Sequence, residues 1–99
     1  MLHEKKYIHW SNRKTYTTKG IALPVQAVIF DVFKEVLHTE DEIKIPIYRY
    51  LNHMYHNYND EVLVIYTDGE KTYARPYEMF FGLVEDEGIV KPRFKNIVE

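Results

Sequence analysis

The side chain with the clearest chemical possibility in this sequence is Arg75, which follows Tyr66 and Tyr73 along one stretch of chain. A guanidinium beside two tyrosine rings could bind an anion or another polar ligand, because its five donors form a planar fork. The same fork could instead brace backbone carbonyls or pair with Glu61 or Glu78, which would be a structural role. The sequence leaves both interpretations of Arg75 open.

A row of cations near the carboxyl end could contact nucleic acid. Lys91, Arg93 and Lys95 alternate with apolar residues, so a strand over residues 90–95 would present three cations on one face. Such a ridge could touch phosphates while exposed tyrosines stack on bases. A solvated strand face explains the same pattern, and the formal charge of −2 gives no overall attraction for nucleic acid. We therefore predict nucleic-acid binding only as the alternative function, and a structural role for Arg93.

Metal binding and covalent catalysis lack the residues that they need. The chain has no cysteine and one serine, Ser11, which stands in no nucleophile motif. Among five histidines, His53 and His56 are three apart. They could share a metal on a helix, but on a strand they would point to opposite faces. We predict no catalytic residue, no metal site and no cofactor, and a protein that is not an enzyme.

Length and composition indicate one folded domain over residues 1–99. The chain is 45% hydrophobic and 28% charged, which is ordinary for a folded protein. We expect residues 1–40 to supply a strand, a basic loop and a helix, and residues 41–99 to supply a barrel-like β part. Charged residues interrupt the N-terminus where a signal peptide would be apolar, and no apolar run could cross a bilayer. We expect a cytoplasmic protein without membrane contact.

Hydrophobic spacing predicts a helix in the N-terminal part. Seven apolar residues after Pro24 recur at intervals of three and four, which is one face of an α-helix. Many of them are β-branched, which favours strands, but the stretch lacks alternation. We expect the helix to cover the sheet, after a strand over residues 5–10 and a polar loop over residues 11–20. The seven residues are Val25, Val28, Ile29, Val32, Phe33, Val36 and Leu37.

The strongest local signal is a hairpin around the Asp-Gly pair at positions 68–69. This pair favours a two-residue turn, because both of its positions need positive φ. Such a turn predicts that Tyr66 lies opposite Lys71, with Tyr73 and Arg75 on the same face as Tyr66. The first strand of the hairpin is apolar on both faces, so we expect it to be central in the sheet.

Two further segments are less distinct. Residues 46–58 have helical spacing of apolar side chains but few good helix formers, so helix and strand are both open on pattern alone. Beyond the hairpin, short apolar stretches at 79–84 and 89–94 flank an acidic turn. Pro92 restricts the second stretch to a sheet edge, because proline has no N–H to donate.

Three strings of residues carry a resemblance to a known family. They are Leu-Val-Ile-Tyr at 63–66, Ala-Arg-Pro-Tyr-Glu-Met-Phe-Phe at 74–81 and Lys-Pro-Arg-Phe at 91–94. They resemble the bacterial family called domain of unknown function 1653, whose members have a valine-rich strand ending in Tyr, an Arg-Pro-x-x-Met-Phe segment and a closing Pro-Arg-Phe. The resemblance covers roughly residues 42–97. Its weaker upstream matches are Lys44, Ile47, Tyr48, His56 and Glu61.

The resemblance implies an SH3-type barrel of short, strongly bent strands, in which residues 43–54 are extended. The family's opening aromatic-His-aromatic-Lys-Gly motif is mostly missing near residue 45, and residues 1–40 have no counterpart in the family core. The expected fold is therefore α+β, with a small SH3-like β-barrel or a strongly bent antiparallel sheet and one N-terminal helix packed on it. The family supplies a fold and no activity.

Barrels of this type present aromatic rings beside a few charges in their binding grooves. We predict a non-enzymatic binding module that engages a protein partner or a small polar ligand through an aromatic groove. It could act as a stand-alone inhibitor or sequestering protein, and as a homo-oligomer, because pairing would cover exposed strand edges. The predicted groove residues are Trp10, Tyr48, Tyr50, Tyr66, Tyr73 and Arg75.

Overall fold

The computed structural model of this protein describes residues 4–26 and 31–97. This part of the chain forms ten β-strands and one four-residue helix, and it contains no helix long and apolar enough to span a membrane. The elements in chain order are β1 (Lys6–His9), β2 (Thr15–Pro24), β3 (Val32–His38), β4 (Ile43–Tyr50), β5 (His53–His56), β6 (Leu63–Thr67), β7 (Thr72–Pro76), α1 (Tyr77–Phe80), β8 (Leu83–Asp86), β9 (Ile89–Pro92) and β10 (Phe94–Asn96).

Six strands close into a barrel in the order β2, β5, β4, β3, β7 and β6, because β6 also pairs with β2. β2 runs parallel to β5 and β3 runs parallel to β7, whereas the other neighbours in the barrel are antiparallel. This closure is consistent with the SH3-type barrel that the resemblance implies. Each of the six strands contributes to the interior, which holds Ala22, Val36, Ile45, Ile47, Met54, Leu63, Ile65 and Ala74.

Strand β6 is buried on both of its faces. Leu63 and Ile65 point into the barrel interior, and Val64 and Tyr66 alternate with them and pack outside the barrel. Residues from β1, β2, α1 and β10 cover this outer face. The prediction that the first strand of the hairpin is central is therefore confirmed. The outer aromatic cluster comprises Tyr7, Tyr16, Val64, Tyr66, Phe80 and Phe94.

Strand β2 begins at Thr15, so the predicted polar loop over residues 11–20 is wrong in its second half. Alternate residues in the first half of the strand are buried, which is the period of a strand and not of a loop. β2 bends at Gly20, where φ is 141° and the register with β6 shifts after Thr18. A side chain there would combine a strained φ with a Cβ 2.9 Å from Cε of Met54, which explains the glycine.

The predicted N-terminal helix is wrong, and so is the α+β class. β2 runs to Pro24 and β3 covers Val32–His38, while Val28 and Ile29 lie outside the described residues. In the second half of β3, Val36 and His38 are buried and Leu37 between them is not. Apolar residues from two strands matched helical intervals across the connection between them, and the β-branched content was the better indicator. The described chain is almost entirely β, with no helix packed on the barrel from its N-terminal side.

The β6–β7 hairpin has a four-residue loop, so the predicted register is wrong by two residues. Tyr66 lies opposite Tyr73 and not opposite Lys71. Because side chains alternate with a period of two, a shift of two residues keeps every side chain on its face. Tyr66, Tyr73 and Arg75 therefore share one face of the hairpin, as the sequence predicts.

Asp68 accounts for the longer loop. Its Oδ1 accepts the backbone N–H groups of Glu70 and Lys71, each at 2.9 Å, and its Oδ2 accepts the hydroxyl of Tyr73 at 3.0 Å. Gly69 supplies the positive φ, 100°, that the loop needs. The two backbone N–H groups stabilise the carboxylate and lower the pKa of Asp68 to about 2.

Residues 46–56 belong to β4, a turn and β5, whereas residues 79–84 contain the end of α1 and the start of β8. The extended conformation predicted for residues 43–54 is confirmed in both strands, but not at Leu51 and Asn52, which have positive φ in the two-residue turn between them. The single strand predicted over residues 90–95 is wrong, because β9 ends at Pro92 and β10 begins at Phe94. β9 pairs with β8 in a separate hairpin, and β10 pairs with β1.

His56 is a fully buried polar residue at the end of β5. Its Nε2 donates to the carbonyl oxygen of Glu61 at 2.7 Å, and its Nδ1 accepts the backbone N–H of Tyr58 at 3.2 Å. This pairing fits the neutral ring, in which one nitrogen donates and the other accepts. Burial lowers the pKa of His56 below 6.5, although the bond to Glu61 acts in the opposite direction.

Replacing Asp68 by Ala should lower the free energy of unfolding by about 1 kcal/mol at neutral pH, because the loop loses its side-chain acceptor. The pKa of Asp68 is depressed on folding, so this stabilisation is present above 3.8 and disappears as the pH falls through about 2. Urea unfolding of the wild type and of Asp68→Ala, from neutral pH down to about 2, measures this difference in the free energy of unfolding. Asp60→Ala, at an exposed aspartate, is the control. A difference between Asp68→Ala and the wild type that persists unchanged down to the folded pKa would contradict the assignment.

Stability should also fall as the pH drops below 6.5, because His9 and His56 both have lowered pKa values in the folded protein. Above 6.5 the folded and unfolded states are both neutral at these rings, and below it the unfolded chain takes up protons first. His56→Gln should flatten this pH dependence, whereas His53→Gln, at an exposed ring, should leave it intact. Urea unfolding between neutral and mildly acidic pH tests this. An unchanged slope in His56→Gln would show that the buried ring is not responsible.

Candidate functional site

A small cavity lies outside the barrel, between β1, β2, β6, β7 and β10. Its volume is about 170 Å³, and its walls combine aromatic rings with polar side chains. Three predicted groove residues, Tyr66, Tyr73 and Arg75, line it together. We call it the tyrosine–arginine pocket, and its lining residues are His9, Asn12, Tyr16, Thr39, Tyr66, Tyr73, Arg75 and Phe94.

Strand register brings the tyrosines of the pocket together. Tyr66 and Tyr73 are cross-strand partners on β6 and β7, and their ring centroids are 5.4 Å apart. On the other side of β6, Thr18 of β2 pairs with Tyr66, which brings the Tyr16 ring to 5.5 Å from the Tyr66 ring in edge-to-face contact. Backbone pairing on both sides of β6 therefore fixes this wall of three rings.

Arg75 is held in place at the pocket by two contacts. Its Nε donates to Oγ1 of Thr39 at 3.1 Å, and its guanidinium carbon lies 5.5 Å from the centroid of the Phe94 ring. Its positive charge also opposes the rise that burial causes in the pKa of Tyr66. Arg75 thus has a structural role, one of the two that the sequence leaves open, because it joins β7 to the turn after β3. The same two contacts orient the planar cation at the wall of a cavity.

The hydroxyls of Tyr66 and Tyr73 are protonated at neutral pH. Burial raises the pKa of Tyr66, while the nearby Arg75 acts in the opposite direction. Burial, followed by the hydrogen bond to Asp68, raises the pKa of Tyr73 to about 12. Both groups are therefore neutral hydrogen-bonding groups and poor candidates for a general base.

His9 presents a neutral ring to the pocket. Its Nδ1 accepts the backbone N–H of Ser11 at 3.1 Å, so in the neutral ring Nε2 carries the proton and is a donor. Burial lowers the pKa of His9, and the positive charges of Arg75 and Arg93 lower it further. Two guanidiniums therefore lie close enough to this imidazole to disfavour a third positive charge.

The lining residues offer donors and rings, and among them there is one cation and no carboxylate. Asn12 donates from Nδ2 to the Tyr16 hydroxyl at 3.1 Å, which adds a further polar group at the rim. Such a set can hydrogen-bond a polar or negatively charged group and can pack against its apolar part. The arrangement is thus suited to holding a ligand.

The other predicted groove residues lie elsewhere. Tyr48 is buried in β4, and Tyr50, at the end of the same strand, is 48% exposed. β3 separates β4 from β7, and neither residue lines the pocket. Trp10 follows His9 directly but faces Lys91, whose Nζ lies 5.5 Å from the centroid of the indole ring.

The three predicted anion-contacting cations do not form one row. Lys91 is half-buried and forms an ion pair with Asp86 at 3.0 Å. Arg93 lies at the break between β9 and β10, where its backbone N–H donates to the carbonyl oxygen of Gly82 at 3.0 Å. Its Nε is buried and has no hydrogen-bond partner among the described residues. Lys95 is exposed on β10.

Sequence reasoning missed five residues of the pocket. Tyr16 falls in a predicted loop, although the Thr-Tyr-Thr-Thr run at residues 15–18 has a high β propensity. Phe94 belongs to one of the strings that carry the family resemblance, and His9 lies in the predicted first strand, but neither spacing points to a shared cavity. Asn12 and Thr39 have no local signal, because they reach the pocket from the turns after β1 and β3.

The described residues contain no group of three His, Asp or Glu side chains that could hold a metal ion. His53 is exposed and His56 is buried, so they lie on opposite faces of β5, as expected for a strand.

A larger cavity, of about 470 Å³, opens near the other end of the β6–β7 hairpin. Its wall is mainly apolar and includes Glu61 and Glu78, without a cation. Neither glutamate is an ion-pair partner of Arg75, whose Nε is bound to Thr39. This cavity brings together none of the predicted groove residues, so we place the candidate site at the tyrosine–arginine pocket.

Comparison with known proteins identifies a family. No curated protein and no solved structure matches the chain significantly. The family model described as protein of unknown function (DUF1653) matches residues 5–96. The resemblance predicted over residues 42–97 is thus confirmed, but it extends further toward the N-terminus than predicted. The expectation that residues 1–40 have no counterpart in the family is wrong, because β1, β2 and β3 fall within the match. Because the match covers most of the sequence, the chain belongs to the DUF1653 family.

Proposed function

We propose that this protein is a non-enzymatic binding module that holds a small polar ligand in the tyrosine–arginine pocket. The observation that carries this proposal is the convergence of Tyr66, Tyr73 and Arg75 on one cavity with their rings and cation already fixed by protein contacts. Groups held in place before a ligand arrives lose little conformational entropy on binding, which favours affinity.

The size of the cavity favours a small molecule over a protein partner. A volume of about 170 Å³ lies below the roughly 300–1,000 Å³ of pockets that take drug-sized ligands, so the cavity suits a smaller molecule. A stable protein interface would need roughly 1,000 Å² or more of complementary surface, of which this pocket could supply only one anchoring point. A ligand-sequestering role fits such a pocket, and the raised pKa values of the pocket tyrosines support binding over catalysis.

Native mass spectrometry of the protein purified from its own cells tests the proposal. We expect the wild-type chain to carry a small molecule, and Arg75→Gln to lose it, because the fixed cation is removed. Arg49→Gln is a matched control, since Arg49 also lies over a phenylalanine, with its guanidinium carbon 5.0 Å from the Phe33 centroid. A bound molecule retained equally by Arg75→Gln would place the binding site elsewhere. The same spectra report the subunit count.

Salt dependence separates this proposal from nucleic-acid binding. If three cations released phosphate counterions, log affinity for a single-stranded oligonucleotide would fall with log salt concentration with a slope of about −2. We expect no such saturable binding, and we expect Lys95→Glu and the double variant Lys91→Glu with Lys95→Glu to retain the bound small molecule. Lys95→Glu keeps the Lys91–Asp86 ion pair and serves as the milder variant. Steep, salt-sensitive oligonucleotide binding that the double variant abolishes would favour the nucleic-acid alternative.

A further inference from the structure

The charge balance of the pocket differs from that of the whole chain. The protein carries 15 acidic and 13 basic residues, yet no carboxylate lines the pocket. Arg75 lines it, and the charge of Arg93 also reaches His9. The carboxylate nearest the rings, Asp68, is bound to the Tyr73 hydroxyl and to two backbone N–H groups of its own loop. The lining residues therefore carry a positive formal charge on a protein of negative net charge.

Hydrogen bonds within the protein already occupy three acceptor atoms of the pocket. Backbone N–H groups of the turn after β1 already bind Nδ1 of His9 at 3.1 Å and Oδ1 of Asn12 at 2.8 Å. Oγ1 of Thr39 accepts Nε–H of Arg75 at 3.1 Å. Donors that can meet a ligand include Nε2–H of His9, the O–H of Tyr16 and the terminal N–H groups of the Arg75 guanidinium. A ligand that fits this set must bring acceptors.

We infer that the tyrosine–arginine pocket binds the carboxylate group of a small organic acid, with Arg75 as the planar fork and His9 as a neutral donor. This inference rests on the proposed function and names the class of ligand. Arg75 suits the task because its Nε is fixed by Thr39 and one face of its guanidinium is covered by the Phe94 ring. Guanidinium–carboxylate pairs favour two parallel hydrogen bonds, which add geometric selectivity to charge attraction.

A carboxylate fits the pocket better than a phosphate. One guanidinium is the only charged group among the lining residues, which matches a single negative charge. A phosphate brings up to two charges and tetrahedral oxygens, and it is usually met by several cations or by clustered backbone N–H groups. The rings of Tyr16 and Tyr73 also give the carbon part of an organic acid an apolar surface to pack against.

Titration of the ¹⁵N-labelled protein, residues 1–99, with acetate, acetamide and inorganic phosphate tests the inference, with sodium chloride keeping the ionic strength constant. Acetamide has nearly the shape of acetate without its charge. We expect acetate to shift the resonances of Tyr73, Arg75 and the His9 ring in a saturable way, and acetamide to shift them much less. Phosphate should bind more weakly than acetate.

Substitutions of Arg75 test whether this side chain binds the carboxylate. Arg75→Gln should weaken acetate binding about 10- to 100-fold, because a charge-assisted hydrogen-bond pair is lost. Arg75→Lys keeps the positive charge but not the planar guanidinium, so its affinity for acetate should lie between those of Arg75→Gln and the wild type. Arg49→Gln should bind acetate as the wild type does. Backbone spectra of each variant establish that the fold is intact.

The outcomes separate the two proposals. Equal shifts from acetamide and acetate would overturn the carboxylate inference and leave the proposed binding of a polar ligand standing. Tighter binding of phosphate than of acetate, or acetate binding unchanged in Arg75→Gln, would also overturn it. If no probe shifts the pocket resonances and the protein from its own cells carries no small molecule, both the inference and the proposed function fail.

Discussion

The constraint on which the structure depends is the need to cover strand β6 on both faces. Leu63, Val64 and Ile65 are almost completely buried, and each such apolar side chain contributes about 1.5–3 kcal/mol when it is removed from water. A single sheet would leave one face of this strand exposed. Closure of the barrel covers the inner face, and β1, α1 and β10 cover the outer face. The chain thus has two cores that share one strand.

The tyrosine–arginine pocket forms where the outer cover ends. Phe80 and Phe94 stack with their ring centroids 4.2 Å apart over the outer face of β6. Beyond Phe94 the covering rings belong to Tyr16 and Tyr73, whose hydroxyls have polar partners. A tyrosine can pack its ring in a core and keep its hydroxyl among polar groups. The cavity is therefore the polar margin of the second core, and it lies outside the barrel that defines the fold.

Sequence patterns predicted the features that depend on local alternation and missed those that depend on pairing at a distance. The two-faced apolar pattern of residues 62–66 indicated a central strand, and alternation placed Tyr66 and Arg75 on one face. The apolar spacing after Pro24 indicated a helix, because intervals of three and four also arise when two strands are read across a connection. Asn12 and Thr39 gave no signal, since only barrel closure and the β1–β2 pairing bring their turns to β7.

The loop at Asp68 decides the chemistry of the pocket as well as the register of the hairpin. With a two-residue turn, Lys71 would lie opposite Tyr66, and Tyr73 would move by two positions, about 6.6 Å along the strand. Arg75 would move with it, away from Thr39. Because Asp68 binds two backbone N–H groups of a longer loop, Tyr73 pairs with Tyr66 instead, and the same carboxylate accepts the Tyr73 hydroxyl. One side chain thereby sets the strand register and holds a ring of the pocket wall, so changes at Asp68 should alter the site.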